Sequence, residues 1–375
     1  MSDLPRLWLR HESRPTERRA PLVPRDAARL VSQGVQITVE ESPQRVFPLA
    51  EYVRAGCATA PAGSWARAPE DHHVLGLKEL PPVPGPLRHR HVYFGHAYKG
   101  QQGARELLGR FTAGGGALLD LEYLTDDDGR RLAAFGYWAG YLGAALAVLH
   151  RRGTLRTPLR SLHRRELDAL LRDDRAGATA LVIGALGRSG RGACDALETA
   201  GIEPVRWDLA ETRTLDRDAL LDHDILVNTV LVTRPVRPFL TPEDLDAPGR
   251  RLSVVVDVTC DVGSDCNVLP LYDAVTDWAH PVRRLRGGDR PLDLIALDNL
   301  PSLLPAEASH SFSAELWPHL PGLGAHSRPW SRCLRVFGEA VARQEAGSGG
   351  QGAGAAPAAG ADTTGADGEE ALRVR

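Results

Sequence analysis

Only two of the 45 lysines and arginines in this chain are lysines: Lys78 in GLKELP and Lys99 in FGHAYKGQ. Arginine serves as well as lysine on a solvated surface. It cannot serve where a cation must lose and regain a proton, because guanidinium stays charged across the accessible pH range. An arginine-rich chain that keeps two lysines so close together therefore points to the segment 78–99 as a place where an amine does chemistry. His96, in HVYFGH, lies in the same segment, and histidine is the residue type whose ordinary charge change falls near neutral pH. Partial desolvation near other cations lowers a lysine pKa and turns the amine into a base. Lys78 and His96 thus form a candidate pair of proton-transfer groups. Their ordinary alternatives are an ion pair of Lys78 with Glu79 or Glu122, and a histidine that merely ends a strand.

The elements that must position these groups read as alternating strands and helices. RLWLRH (6–11), VQITVEES (35–42), HVLGL (73–77), HVYFG (91–95) and ALLDLEYL (117–124) have strand character, whereas PRDAARLVSQG (24–34), LAEYVRAG (49–56) and QGARELLGRFTAGGG have helical spacing. Alternation of this kind predicts a mostly parallel sheet with helices on its faces. Lys78 and His96 each follow a strand, and the carboxyl edge of an open α/β sheet is where ligands bind. Two arginine clusters accompany them, Arg14, Arg18 and Arg19 in SRPTERR and Arg130 and Arg131 in DDDGRR. Arginine forks grip carboxylates bidentately, so two clusters at one crevice suit a substrate with more than one carboxylate.

A second alternating region follows. FGYWAGYLGAALAVL (135–149) reads as a buried or interdomain helix and 151–178 as a solvated one. Strand candidates are 179–186, 203–209, 223–231, 251–259 and 291–299; helical spacing continues over 299–320, broken by Pro301 and Pro305, and over 332–344. In LVIGALGRSGRGACDAL, Gly184, Gly187 and Gly190 stand between a strand and a helix, where glycines admit a tight turn and a close backbone approach to a pyrophosphate. The spacing GxxGxxG is weak evidence alone. The next strand, EPVRWD, ends in Asp208, at the distance where an acid binds the ribose hydroxyls of NAD and repels the extra phosphate of NADP. NAD is the expected cofactor.

Composition sets outer limits. A chain of 375 residues suggests two domains, or one domain with large insertions. Net charge is −3 with no basic stripe interleaved with aromatics, which speaks against a nucleic-acid partner. Five cysteines without a CxxC pair fit a reducing compartment, and MSDLPRLWLRHESRP has no apolar signal core, so the expected location is cytoplasmic, away from membranes. His72, His73, His89 and His91 lack a matching set of further ligands and are expected at the surface, with no metal site. From Ala346 the Gly/Ala-rich sequence predicts a disordered tail over 346–375.

The segments ESRPTERRAPLVP, HHVLGLKELP, HVYFGHAYKGQ, DLEYLTDDDGRRLAAFGYWAGYLGAAL, GALGRSGRGA, RWDLAET and LDNLPSLLPAEAS together resemble NAD-dependent, L-lysine-forming saccharopine dehydrogenases, a family akin to alanine dehydrogenase and the transhydrogenase NAD-binding subunits. The resemblance spans roughly residues 6–343. It implies two Rossmann-like domains with mostly parallel sheets and an active-site cleft between them. The substrate domain would comprise 1–135 with 325–345, and the NAD domain 136–324. It implies reversible conversion of saccharopine to L-lysine and 2-oxoglutarate by a protein expected to be a monomer. The alternatives are a related NAD-dependent dehydrogenase acting on another N-carboxyalkyl amino acid or, like alanine dehydrogenase, on an amino acid, and a non-catalytic NAD-binding protein. Carried over by motif, Lys78 and His96 would be the acid–base groups, with Arg19, Lys99, Glu122, Arg130, Arg131 and Phe135 lining the substrate pocket. Gly184, Gly187, Arg188, Gly190, Asp208, Thr212, Leu231, Val258, Leu297, Asp298, Asn299 and Leu300 would surround NAD. Ser189 and Thr229 stand where fungal relatives often carry cysteines, and Leu231 where an aromatic is common.

Overall fold

The computed structural model describes residues 4–99, 101–173, 177–232, 234–325, 327–349 and 372–374. The chain divides into two compact units. The first takes the residues up to Ala134 and again from Pro305; the second is Phe135–Leu304 with the C-terminal strand. The family resemblance implies a return to the first unit at residue 325, whereas the chain re-enters it at Pro305.

The first unit begins with β1 (Arg6–Leu9), α1 (Pro24–Ser32), β2 (Gln36–Glu40), α2 (Leu49–Arg54), β3 (Ala58–Ala60), β4 (His72–Leu75), β5 (Arg90–Tyr93), α3 (Ala104–Gly114) and β6 (Ala117–Asp120). The six strands form a wholly parallel sheet in the order β3-β2-β1-β4-β5-β6. Strand order reverses between β1 and β4, so the carboxyl ends of those two strands border the topological switch point. Covered on both faces, the central strands are buried along most of their length. This corrects the expectation for the histidines: His73, His89 and His91 are core residues, and only His72 keeps partial exposure. His91 is packed edge-on by Trp65, Tyr93 and Phe111, and burial holds its pKa well below the usual histidine range.

The second unit runs through α4 (Gly136–Arg151), α5 (Arg164–Asp173), β7 (Ala180–Ile183), α6 (Arg188–Thr199), β8 (Pro204–Trp207), α7 (Leu209–Arg213), α8 (Arg217–Leu221), β9 (Ile225–Asn228), β10 (Val230–Val232), β11 (Val254–Asp257), β12 (Arg283–Arg286) and β13 (Leu292–Ile295). Its main sheet has the order β12-β13-β11-β9-β7-β8, parallel except for the edge strand β12. The expected strand 223–231 breaks at Thr229, whose hydroxyl donates to Ile183 O at 2.7 Å. The apolar 135–149 pattern is borne out as the almost wholly buried α4. Its fit against α6 depends on absent side chains: a Cβ at Gly140 would lie 1.7 Å from Ser189 O, and one at Gly192 1.9 Å from Tyr137 O. The solvated helix expected within 151–178 is α5, which buries Leu167, Asp168 and Leu171 and is therefore amphipathic.

Back in the first unit, α9 (Pro305–Leu316) uses Pro305 as its first residue, where a missing N–H costs nothing. α10 (Arg328–Gly349) covers β6: Cys333 Sγ approaches Asp120 O, Phe337 packs on Phe111, and Arg332 reaches the Thr125 carbonyl and the Asp127 carboxylate. The expected tail is corrected at both ends, since α10 continues to Gly349 and β14 (Leu372–Val374) pairs antiparallel with β10. Residues 350–371 of that tail lie outside the described residues. No helix among the described residues is long and apolar enough to cross a membrane.

Candidate active site

In the first unit the acid–base candidates sit on loops leaving β4 and β5. The loop that carries Lys78 is pinned from below. Glu12, buried beyond β1, accepts the backbone N–H groups of Leu77 at 2.7 Å and Lys78 at 3.0 Å, and Arg10 both pairs with Glu12 and donates to the Lys78 carbonyl. Gly76 makes this possible, because a Cβ there would fall 2.3 Å from the Arg10 Nε. Burial raises the Glu12 carboxyl above its usual range against the pull of Arg10. Lys78 itself is half-buried, and its charge helps hold down the pKa values of Glu17 and Glu79.

The second group gathers on Glu122, which is nearly buried. Its carboxylate lies 3.6 Å from His96 Nδ1, 3.3 Å from Lys99 Nζ and 3.0 Å from an Arg131 guanidinium nitrogen. A carboxylate ringed by three cationic or titratable groups is a strong local anchor, while the His96 and Lys99 side chains stay more than half exposed. Below it, Asp120 is buried and its carboxyl is pushed up to about 6, chiefly by burial and further by Glu122.

The arginines of the first cluster already hold acids. Arg19 grips Glu17 through two buried bonds of 2.8 and 2.6 Å, and Arg14 grips Glu79 in the same forked way. Arg18 donates to the Gln44 carbonyl. Arg130 is three-quarters exposed and pairs with Asp126 and Asp128 on its own turn, apart from the Glu122 group. Sequence reading thus brings out the cations but misses the acids that orient them: Glu12, Glu17 and Asp120. The clue for two of them is visible, since HESRPTERR alternates acids with the arginines.

In the second unit the glycine turn leaves β7 next to the switch point between β7 and β9. Gly184 has φ +80, and a Cβ at Gly190 would lie 2.0 Å from Gly184 O, so strand, turn and α6 approach more closely than any side chain permits. Gly187 caps α6 and Arg188 opens it. Asp208 accepts the Leu186 N–H at 3.0 Å, which ties the end of β8 to the glycine turn, and closes a capping box with Glu211 on α7. Thr212 Oγ1 donates to the Asp208 carbonyl at 2.9 Å. This cradle, with a half-buried acid beside it, fits a dinucleotide. Val258 N donates to Asn228 O, and Leu231 lies in β10. In the LDNL turn, Leu297 and Leu300 are core residues, Asp298 is exposed, and Asn299 adopts φ +68 with its amide on Ser302 Oγ. Phe135 precedes α4 as its cap residue and is half-buried. Ser189 and Thr229 are both buried, and the five cysteines are free. Among the described residues no group of three or more His, Cys, Asp or Glu could hold a metal ion.

Family comparison agrees with this layout. The family model for the alanine dehydrogenase/PNT N-terminal domain matches residues 8–142, and that for the C-terminal domain matches 137–334. Saccharopine dehydrogenase [NAD(+), L-lysine-forming] of Schizosaccharomyces pombe is 42% identical over 89% of this chain and 97% of its own. The protein of the same name from Neurospora crassa is 41% identical over 90% of this chain and 96% of its own. Among solved structures, an L-alanine dehydrogenase aligns with a TM-score of 0.63 at 17% identity, covering 89% of this chain and 94% of that one. A transhydrogenase from Sinorhizobium meliloti aligns with a TM-score of 0.56 at 18% identity, covering 85% and 94%. At such identities these two structures speak for the fold alone.

Proposed function

The chain belongs to the saccharopine dehydrogenase family of alanine dehydrogenase/PNT-type proteins, and from that premise we propose that it oxidises saccharopine with NAD to L-lysine and 2-oxoglutarate. Saccharopine, NAD+ and water are consumed; lysine, 2-oxoglutarate, NADH and a proton are formed. The observation that carries this reading is the similarity to lysine-forming saccharopine dehydrogenases across nearly the full length of both chains.

Bound NAD supplies the hydride acceptor. The glycine turn of Gly184, Gly187 and Gly190, with Arg188, would hold its pyrophosphate, Asp208 and Thr212 its ribose. Leu231 and Val258 would wall the cofactor site. Asp298 and Asn299, on the turn buried at Leu297 and Leu300, would meet the nicotinamide half. In the first unit Lys78 acts as the base that takes the proton of the secondary amine as the C–H bond is oxidised, leaving an imine. His96 moves the protons needed for water to add to that imine and for the carbinolamine to collapse into amine and ketone. Glu122 keeps His96, Lys99 and Arg131 together. Lys99 and Arg131, with Phe135, would receive the substrate and its carboxylates; Arg19 and Arg130 would join them by exchanging Glu17 and Asp126 for a substrate carboxylate. Supporting these roles are the pinned Lys78 loop and the convergence of three groups on Glu122. The same reading has the protein working as a monomer in the cytoplasm without a nucleic-acid partner, the last in keeping with its net charge of −3.

The test is NADH formation by purified protein with NAD at alkaline pH, with saccharopine and alanine compared. Rapid NADH production from saccharopine alone is expected. Turnover of alanine without saccharopine would replace the substrate assignment.

A further inference from the structure

His96 is one of three non-glycine residues with a left-handed backbone among the described residues, at φ +47. Histidine enters this region more readily than most residues, and a hydrogen bond to its backbone N–H helps to keep it there. The holder is Asp120, at the end of β6. Its Oδ2 accepts the His96 N–H at 3.1 Å, and its Oδ1 accepts the Glu122 N–H at 2.9 Å. One buried carboxylate therefore ties together two loops whose side chains meet 3.6 Å apart, at His96 Nδ1 and Glu122 Oε2. The scaffold below is rigid: β6 pairs with β5 in register Tyr93↔Asp120, the Tyr98 hydroxyl donates to Leu118 O, and α10 lays Cys333 on the Asp120 carbonyl.

We propose that Asp120 is a positioning residue for the reaction, fixing His96 against Glu122 by accepting both of their backbone N–H groups. This rests on the acid–base role proposed for His96. The choice of residue supports it. A buried carboxylate is costly to fold around, and burial here raises the Asp120 carboxyl, so folding alone would favour a neutral side chain of the same shape. Asparagine is that side chain, yet it offers one accepting oxygen and turns an NH2 toward the other N–H. Only a carboxylate accepts from both loops at once.

The experiment is Asp120→Asn, measured in wild-type and His96→Gln backgrounds for kcat, for KM of saccharopine and for NAD affinity. In the wild-type background kcat should fall at least about 10-fold, KM should move less than about 3-fold because Glu122 keeps its side-chain pairs with Lys99 and Arg131, and NAD affinity should stay unchanged. In the His96→Gln background the same substitution should cost little further. A kcat within about 2-fold of wild type, beside a large loss in His96→Gln, would overturn the role of Asp120 and leave the proposed function standing. Equal losses in both backgrounds would also overturn it, since Asp120 would then act on something other than His96. If His96→Gln itself had no effect, the acid–base assignment would be the part that fails, and this inference with it. Should Asp120→Asn not fold, Asp120→Glu keeps the charge but displaces both oxygens, and the same kcat, KM and double-variant criteria apply.

Discussion

Replacing Glu17 by glutamine tests the electrostatics beneath the candidate site, and its size follows from the structure. Glu17 is buried and accepts from Arg19 at Nε (2.8 Å), at a terminal nitrogen (2.6 Å) and at the backbone N–H (3.0 Å). Burial pushes its pKa up, but Arg19 and, more weakly, Lys78 win, and the carboxyl ends at about 2 against an ordinary 4.5. A depression of that size corresponds to roughly 3 kcal/mol of stability at neutral pH. Because the folded pKa is the lower one, this contribution is present above the ordinary range and disappears as pH falls from about 4.5 towards 2. Glu17→Gln also leaves the Arg19 charge buried without its anion, so the expected total loss is about 3–5 kcal/mol. Urea unfolding of both proteins at about pH 7 and about pH 3 reads it, the gap shrinking by about 2 kcal/mol at the lower pH. A loss below about 1 kcal/mol at neutral pH, or an equal loss at both pH values, would refute the reasoning.

Lys78→Met should lower kcat by about 10²–10⁴ while NAD still binds; near-wild-type turnover would remove the lysine from the chemistry. Asp208→Ala should weaken NAD and relax discrimination against NADP, read by fluorescence titration with both cofactors, and an unchanged preference would take Asp208 out of the ribose site. Gly190→Ala places a Cβ 2.0 Å from Gly184 O, so α6 must shift off β7. Stability should drop by about 1–3 kcal/mol or more and NAD affinity should fall with it, as thermal unfolding with and without NAD will report.

Local pattern carried much of this structure. The main apolar strands, the glycine turn with Asp208 downstream, and the strand-end positions of Lys78 and His96 could all be read from spacing. Elements defined by distant partners could not. Ala58–Ala60 and Arg283–Arg286 have little apolar character and become strands by pairing with β2 and β13. Leu372–Val374 joins β10 out of a low-complexity tail. His73 and His91 look like surface residues by type and are buried because β4 and β5 are central strands; His89, just before β5, is buried with its Nε2 on the Ala68 carbonyl. Within the candidate site the cations stood out by composition, whereas the acids took their meaning from the fold. Glu12 lies 65 residues from Leu77, whose N–H it accepts, and Asp120 24 residues from His96. No periodicity links such pairs; the parallel sheet does, by bringing successive strand ends to one edge.

The central claim concerns which carbon is oxidised. Saccharopine carrying deuterium on the α-carbon of its glutaryl half, turned over with NAD, separates the possibilities. The account predicts one deuterated NADH and one L-lysine for each saccharopine consumed, with 2-oxoglutarate as the other product. Unlabelled NADH accompanied by glutamate and an aldehyde would mean that the bond on the lysine side is cleaved instead, and would contradict it.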